Sequence, residues 1–266
     1  MVIAVEIDNS RISFGIFDAS DDMVASFAVA TDLRKTSDEY AVTVGTIFDF
    51  YKIECCDICG AVISSVVPQL TDVIRASLGK LMGDIQTVVV GKGTKTGFPI
   101  KVDNPSELGA DLVSNAAAAM SLLSREKISG TSCVIIDMGT ATTVFALNER
   151  GEYIGGSIMA GVGISLDALH GKTAQLPAVS PAAPTRAIGK NSQESVRSGV
   201  ILGNAMMIDG FIERFTQEMR CNAEPCVIAT GEYADAVIPF CTHTLRYVPQ
   251  LTLLGAYSIY KNNTKS

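Results

Sequence analysis

One layout occurs twice in this chain: an apolar run that halts at a carboxylate, passes through a few short polar residues and turns apolar again. The later copy is "CVIIDMGTATTVFAL" at 133–147, halting at Asp137, and the earlier is "MVIAVEIDNSRISFGIF" at 1–17, halting at Glu6. Each copy is a strand–turn–strand signal. Laid side by side at a constant offset of 131 positions, they match Glu6 with Asp137, Asp8 with Gly139, Asn9 with Thr140 and Phe14 with Phe145. A chain of 266 residues that repeats one supersecondary unit at that distance is constrained to two similar halves.

The pattern around the two copies extends the repeat. β-branched runs at 2–7, 11–17 and 24–29, separated by Asp8-Asn9-Ser10 and by Asp18-Ala19-Ser20-Asp21-Asp22, predict an antiparallel meander. A helix is expected over 36–50, a buried strand over "GAVISSVV" at 60–67, a helix from Pro68 to about residue 82, and a short strand in "IQTVVVG". After the Gly- and Pro-rich stretch "GKGTKTGFPIKVDNP", Pro105-Ser106-Glu107 opens an Ala-rich helix to about residue 125, and "EKISGTS" separates the halves. The second half repeats the programme with strands near 132–138, 141–147 and 152–159, helices near 161–172 and 191–219, the strand "CVIATG" and a final helix from about 252. The expected architecture is α/β: an N-terminal lobe over 1–120 and a C-terminal lobe over 121–266, around a cleft.

The chemistry of such a turn follows from its residue types. A carboxylate at a strand end handles a cation, and the backbone N–H groups of a tight hairpin built from small, hydroxyl or amide residues can face phosphate. A plain hairpin with strand-favouring Thr is the alternative. Lys and Arg total 21 against 28 Asp and Glu, a net charge of −7, which argues against a nucleic-acid partner. No apolar run reaches the length of a membrane span and no charged leader precedes the first strand, so a cytoplasmic protein is expected. Cys56 and Cys59 have half of a zinc-ligand spacing, but no second pair follows and His170 and His243 stand alone, so the seven cysteines read as reduced thiols.

Further motifs carry a resemblance: "SSVVPQLT" (64–71), "KTGFPIKVDNPSELGAD" (95–111), "DMGTATT" (137–143), "GGSIMAGVGISLDALHGKTAQLP" (155–177), "IGKNSQESVRSG" (188–199), "IDGFIER" (208–214) and "LTLLGA" (251–256). Nearly end to end the chain resembles the type III pantothenate kinases, within the superfamily of actin, sugar kinases and heat-shock chaperones. The resemblance implies duplicated ribonuclease H-like lobes with mixed five-stranded sheets flanked by helices. It also implies transfer of the ATP γ-phosphoryl group to pantothenate in coenzyme A biosynthesis, with Mg²⁺ and K⁺ or NH4⁺, in a homodimer.

Residue by residue, the resemblance makes Asp111 the general base and Asp137 the ligand of the monovalent cation. Glu6 stands at the Mg²⁺ position. Glu6, Asp8, Asn9, Ser10, Thr140, Thr143 and Gly231 fall at ATP and phosphate positions, and Val102, Gly109, Ala110, Asp111, Leu112 and Ser192 at pantothenate positions. A carboxylate suits the base role because the loose transition state of phosphoryl transfer asks for orientation more than basicity. From the residues alone, Asp111 is also a first-turn carboxylate favoured by the helix dipole. Lys101 and Lys190 could lend charge near phosphates or be solvated, and a lone His170 fits a structural role.

The chain departs from the family pattern at its ligand sites. The family's first turn reads Asp-x-Gly-Asn followed by Thr or Ser, whereas this chain has Glu6-Ile7-Asp8-Asn9-Ser10. The family's Arg after the catalytic Asp is Leu112, its pocket Tyr is Val102, the Pro of its Pro-Gly turn is Ala160, and its Thr-Gly-Gly is Thr230-Gly231-Glu232. Three readings follow: an active, divergent pantothenate kinase; a degenerate paralogue that partners or regulates an intact kinase subunit in a heterodimer; or a kinase for another small hydroxyl substrate.

Overall fold

The structure is a computed structural model describing residues 1–221 and 223–264. Its strands and helices fall into two compact units. The first unit opens with β1 (Val2–Ile7), β2 (Arg11–Phe17) and β3 (Met23–Ala30), followed by α1 (Ser37–Tyr51), β4 (Gly60–Ser65), α2 (Pro68–Met82) and β5 (Gln86–Val89). Thr36 starts α1 through a capping box with Glu39, and Pro68 occupies the first turn of α2, where its missing N–H costs nothing. The five strands form one sheet in the order β3-β2-β1-β4-β5; β1 to β3 make the expected antiparallel meander, and β4 and β5 run parallel. Ile3, Val5, Ile7, Phe14 and Ile16 pack on one face with Tyr40, Val44 and Phe48 of α1 and Leu70, Ile74 and Leu78 of α2.

The Ala-rich helix α3 (Ala110–Arg125) begins later than the sequence suggested. Pro105–Glu107 form a separate 3-10 turn capped by the Asn104 side chain, because Gly109 breaks the run between Glu107 and the helix proper. Ala116, Ala117, Ala118 and Ala119 are all buried, and the small face lets α7 (Leu251–Thr264) approach closely: a Cβ on Gly255 would collide with the Ser114 carbonyl.

The second unit contains β6 (Cys133–Met138), β7 (Ala141–Leu147), β8 (Tyr153–Ala160), α4 (Val162–Lys172), α5 (Ser192–Met219), β9 (Cys226–Thr230), the short α6 (Ala234–Val237) and β10 (Arg246–Tyr247). Its sheet order, β10-β9-β6-β7-β8, is the order of the first sheet with each strand replaced by its counterpart. Val134, Ile136 and Met138 pack there against Ile201, Ala205, Ile208 and Ile212 of α5. Both sheets carry a bulge at the equivalent point, between Ile16 and Phe17 in one and between Ala146 and Leu147 in the other.

Two expectations change. The offset of 131 holds only up to the turn. Ile7 pairs with Ile12 across four turn residues, but Met138 pairs with Thr142 across three, so beyond the turn the offset is 130. Phe14 therefore corresponds to Val144 and not to Phe145: Phe14 lies opposite Val5 and Phe145 opposite Ile135, on the other face of the sheet. The expected lobes 1–120 and 121–266 also differ from the compact units. The first unit takes Met1–Phe98, Asn104–Leu122 and the chain from Leu251 onward, and the second takes Pro99–Asp103 and Leu123–Gln250. The last helix returns to the first unit because α7 packs on β1 and β4. Pro99–Asp103 joins the second because Lys101 N–H donates to the Tyr153 carbonyl and Tyr153 N–H to the Pro99 carbonyl.

Candidate active site

Strand register places a carboxylate between two hydroxyls in each unit. Glu6 on β1 pairs with Ser13 on β2 and with Ser64 on β4; Asp137 on β6 pairs with Thr143 on β7 and with Thr230 on β9. Side chains at paired positions share one face of the sheet, so each unit carries a transverse row of hydroxyl, carboxylate and hydroxyl. Sequence reasoning singled out Glu6, Asp137 and Thr143 and named Thr230 only within Thr230-Gly231-Glu232, not as the neighbour of Asp137; it missed Ser13 and Ser64. Ser64 lies in the quoted "SSVVPQLT", yet only the parallel pairing of β1 with β4 shows that it flanks Glu6.

In the first unit the row is joined by α3 and α7. The Ser114 hydroxyl donates to Ser64 Oγ at 3.0 Å, and the Thr252 hydroxyl lies 2.9 Å from Asn115 Oδ1 and within hydrogen-bonding reach of the Glu6 carboxyl. Asp111 sits one helical turn before Ser114 and Asn115. Its neighbourhood includes the carboxylate of Asp8, and that of Glu6 includes both Asp8 and Asp111. Burial raises the Glu6 carboxyl above its ordinary range; hydrogen bonding from Thr252 and the charge of Arg11 oppose this, and Asp8 and Asp111 add to it. Asp111 is raised for the same first reason, burial, against the pull of the Leu112 and Asp111 backbone N–H groups and with a further push from Asp8. Gly109 leaves the Asp111 carboxylate its place, since a Cβ there would make that side chain shift.

The first turn is internally braced. Asp8 N–H donates to the Arg11 carbonyl at 3.0 Å, the Thr31 hydroxyl to the Asp8 carbonyl at 2.6 Å, and the Ser10 hydroxyl to the Asp8 carboxylate at 3.3 Å. Asn9 and Ser10 are exposed. Neither Asp8 nor its counterpart Gly139 has a positive φ, so the difference between them is one of room and charge, not of backbone freedom.

In the second unit Thr142 and Thr143 hydroxyls are buried without a hydrogen-bond partner. Thr140 is half-buried at the turn, and Gly231, φ 103°, follows Thr230 at the end of β9 where a Cβ would strike the Met138 backbone. Ser192 opens α5 and lines an open cavity of about 650 Å³ together with Lys190, Asn191, Ser195, Leu169 and Leu176. Asn191 caps the helix, its side chain accepting from Glu194 N–H at 2.9 Å. Val102 is half-buried in Pro99–Asp103, Lys101 approaches Glu152 at 3.9 Å, and His170 Nδ1 lies 2.9 Å from the Leu176 carbonyl, a structural contact. The predicted residues thus gather as Glu6, Asp8, Asn9, Ser10, Gly109, Ala110, Asp111 and Leu112 in the first unit, and as Val102, Asp137, Thr140, Thr143, Ser192 and Gly231 in the second.

Comparison with known proteins bears on the fold and the family. Among solved structures, the chain is similar to a conserved putative Baf family transcriptional activator from Campylobacter jejuni (TM-score 0.58, 15% identity, 98% of each chain covered). It is equally similar to a putative 2-dehydro-3-deoxygalactonokinase from Sinorhizobium meliloti (TM-score 0.58, 10% identity, 98% of each chain). At such identities these likenesses establish the fold alone. In sequence, it is 38% identical to a type III pantothenate kinase of Moorella thermoacetica, over 99% of this chain and all of that one. It is 40% identical to one of Citrifermentans bemidjiense with the same coverage. The family model for type III pantothenate kinase matches residues 2–214, and the chain belongs to that family.

Proposed function

We propose that this protein transfers the γ-phosphoryl group of ATP to the primary hydroxyl of pantothenate, giving 4'-phosphopantothenate for coenzyme A synthesis. The observation that carries this reading is Asp111: it is retained, held at the start of α3 beside the β1 carboxylate, and raised by burial toward the range of an effective base. Asp111 receives the hydroxyl proton as the phosphoryl group departs, and the loose transition state leaves positioning as its main task. Ser192 and the N-terminal N–H groups of α5 offer donors to substrate at the 650 Å³ cavity.

The residues present fit ATP with a divalent cation. Mg²⁺ keeps several waters and takes one or two carboxylates with the substrate's phosphates, and the Glu6 carboxyl, with the like charges of Asp8 and Asp111 nearby, is such a ligand. Glu6 would hold it, and the cation, when bound, neutralises charge on the phosphates. Asp137 would hold K⁺ or NH4⁺, and the unpartnered Thr143 hydroxyl on its row is a ready oxygen contact for the phosphates. The dimer reading draws on α5, whose exposed Gly199, Gly203 and Gly210 lack a Cβ and leave the helix backbone open to close approach.

Asp8 and Leu112 favour a second reading, a non-enzyme subunit that completes an intact partner, because they add negative charge near phosphates and remove the cation facing the pantothenate carboxylate. A coupled assay with millimolar ATP, pantothenate, Mg²⁺ and K⁺ tests both. Turnover by the purified protein supports the kinase; no turnover by a folded sample supports the partner reading.

A further inference from the structure

The seven cysteines are free thiols, but two of them are brought together by the second sheet. Cys133 opens β6 and Cys226 opens β9, and in the parallel ladder these two residues are direct partners. Paired side chains on adjacent parallel strands leave the same face, and a strand spacing of about 4.8 Å lies inside the Cα separation that a disulfide spans, about 4.4 to 6.8 Å. The pair is asymmetric. Cys133 is wholly buried, while Cys226 is half-buried at the strand's open end. A third thiol, Cys221, lies 2.9 Å from the hydroxyl of Ser132, the residue before Cys133, and Cys226 N–H donates to the Ser132 carbonyl at 2.9 Å.

We infer that Cys133 and Cys226 form a thiol pair that small-molecule disulfides oxidise to an intramolecular crosslink, with Cys226 as the attacking and Cys133 as the resolving cysteine. The chemistry around Cys226 supports this assignment of roles. Interaction with the adjacent Cys133 thiol favours ionisation of Cys226, burial opposes it, and Arg246 on β10 favours it against Glu126; the balance brings Cys226 down to about 7. Arg246 is itself engaged by Glu126 at 2.6 Å. The Val134 carbonyl, an acceptor near Cys133, is 3.9 Å away. Cys133 is held well above its ordinary value, so it waits as a thiol. A low-lying, partly accessible thiolate beside a buried thiol is the arrangement in which oxidation is selective.

The reaction balances with glutathione disulfide as oxidant. The Cys226 thiolate attacks one glutathione sulfur, forming a mixed disulfide and releasing one glutathione thiolate. Cys133 then gives up its proton to solvent, attacks Cys226 Sγ and displaces the second thiolate. Two protein thiols are oxidised and one disulfide is reduced to two thiols.

The test exposes the folded full-length protein to glutathione disulfide and measures intact mass and peptides. The expected result is a mass loss of two hydrogens, with peptide 127–149, which holds Cys133, joined to 219–232, which holds Cys221 and Cys226; fragmentation assigns the bond to Cys226. Cys133→Ser should instead retain one glutathione on Cys226, Cys226→Ser should lose the crosslink, and Cys221→Ser should keep it. A crosslink through Cys221, or a folded wild-type protein that shows no crosslink and no preference for Cys226, overturns the inference.

Discussion

The two hairpins share a strand order, a bulge and a carboxylate between hydroxyls, and they part company in the turn. The first turn is one residue longer and places Asp8 near Glu6 and Asp111, so three carboxylates crowd one unit. The second turn is short, carries Gly139 and Thr140, and has Thr143 with no partner for its buried hydroxyl. One hairpin thus has charge to be neutralised and the other has a polar group to be satisfied. A nearby cation would meet the first need and a hydrogen-bond acceptor the second.

The sharpest way to break this comparison is to remove the carboxylate proposed as the base. Asp111→Asn should lower phosphorylation of pantothenate by about 10² to 10⁴-fold, with ATP affinity nearly unchanged. A loss below tenfold in steady-state kinetics would take the first unit's crowded acids out of the chemistry. Next in size is the turn itself. Glu6→Asp with Asp8→Gly, which makes the first turn resemble the second, should tighten ATP by about tenfold, or about 1.4 kcal/mol, in calorimetric titration. Adding Leu112→Arg should raise pantothenate phosphorylation further through a charge-assisted bond of about 1.5 to 3 kcal/mol. Unchanged ATP affinity would mean that Asp8, braced by Ser10, faces away from the nucleotide.

A third test uses pH. Glu6 is raised above 4.5 in the folded protein, so the native state keeps the proton longer than the unfolded chain does. Stability contributed by this group falls as pH rises from about 4.5 through the raised value, and the penalty is complete above it. Glu6→Gln should remove that part of the slope and raise the melting temperature at pH 8 relative to pH 5; an unaltered slope would place Glu6 in contact with solvent. The smallest expected effect is at Thr142, which is wholly buried with an unpartnered hydroxyl. Thr142→Val should be neutral or stabilise by about 1 kcal/mol without ligand. The same change at Thr143 should weaken ATP binding; equal effects at both threonines would remove the ligand role of the second hairpin.

Most of the fold was legible because its signals are local. The meander, Pro68 at the start of α2 and the long α5 are written in residue order and hydrophobic period. What escaped depends on partners distant in the chain. A one-residue difference in turn length is invisible when two apolar strands can be aligned at either offset, and Phe14 matched with Phe145 satisfied the pattern while belonging to the opposite face. The flanking hydroxyls Ser64 and Thr230 needed the parallel pairings, which join β1 to a strand more than fifty positions away and β6 to one more than ninety away. Asp111 could be placed by resemblance, but its raised carboxyl needed α3 against the first sheet.

The return of α7 to the first unit sets an order of manufacture. On the ribosome, β1 to β5 and the start of α3 emerge early, yet the helix that carries Thr252 to Glu6 and covers β1 and β4 is separated from them by Leu123–Gln250. At ordinary elongation speed that interval lasts on the order of ten seconds. During that time the apolar strands that α7 will cover stand open, and the second unit can fold while the first waits. Translation therefore supplies the whole of the second unit before the whole of the first, and the unit bearing Asp111 is complete only once α7 has emerged.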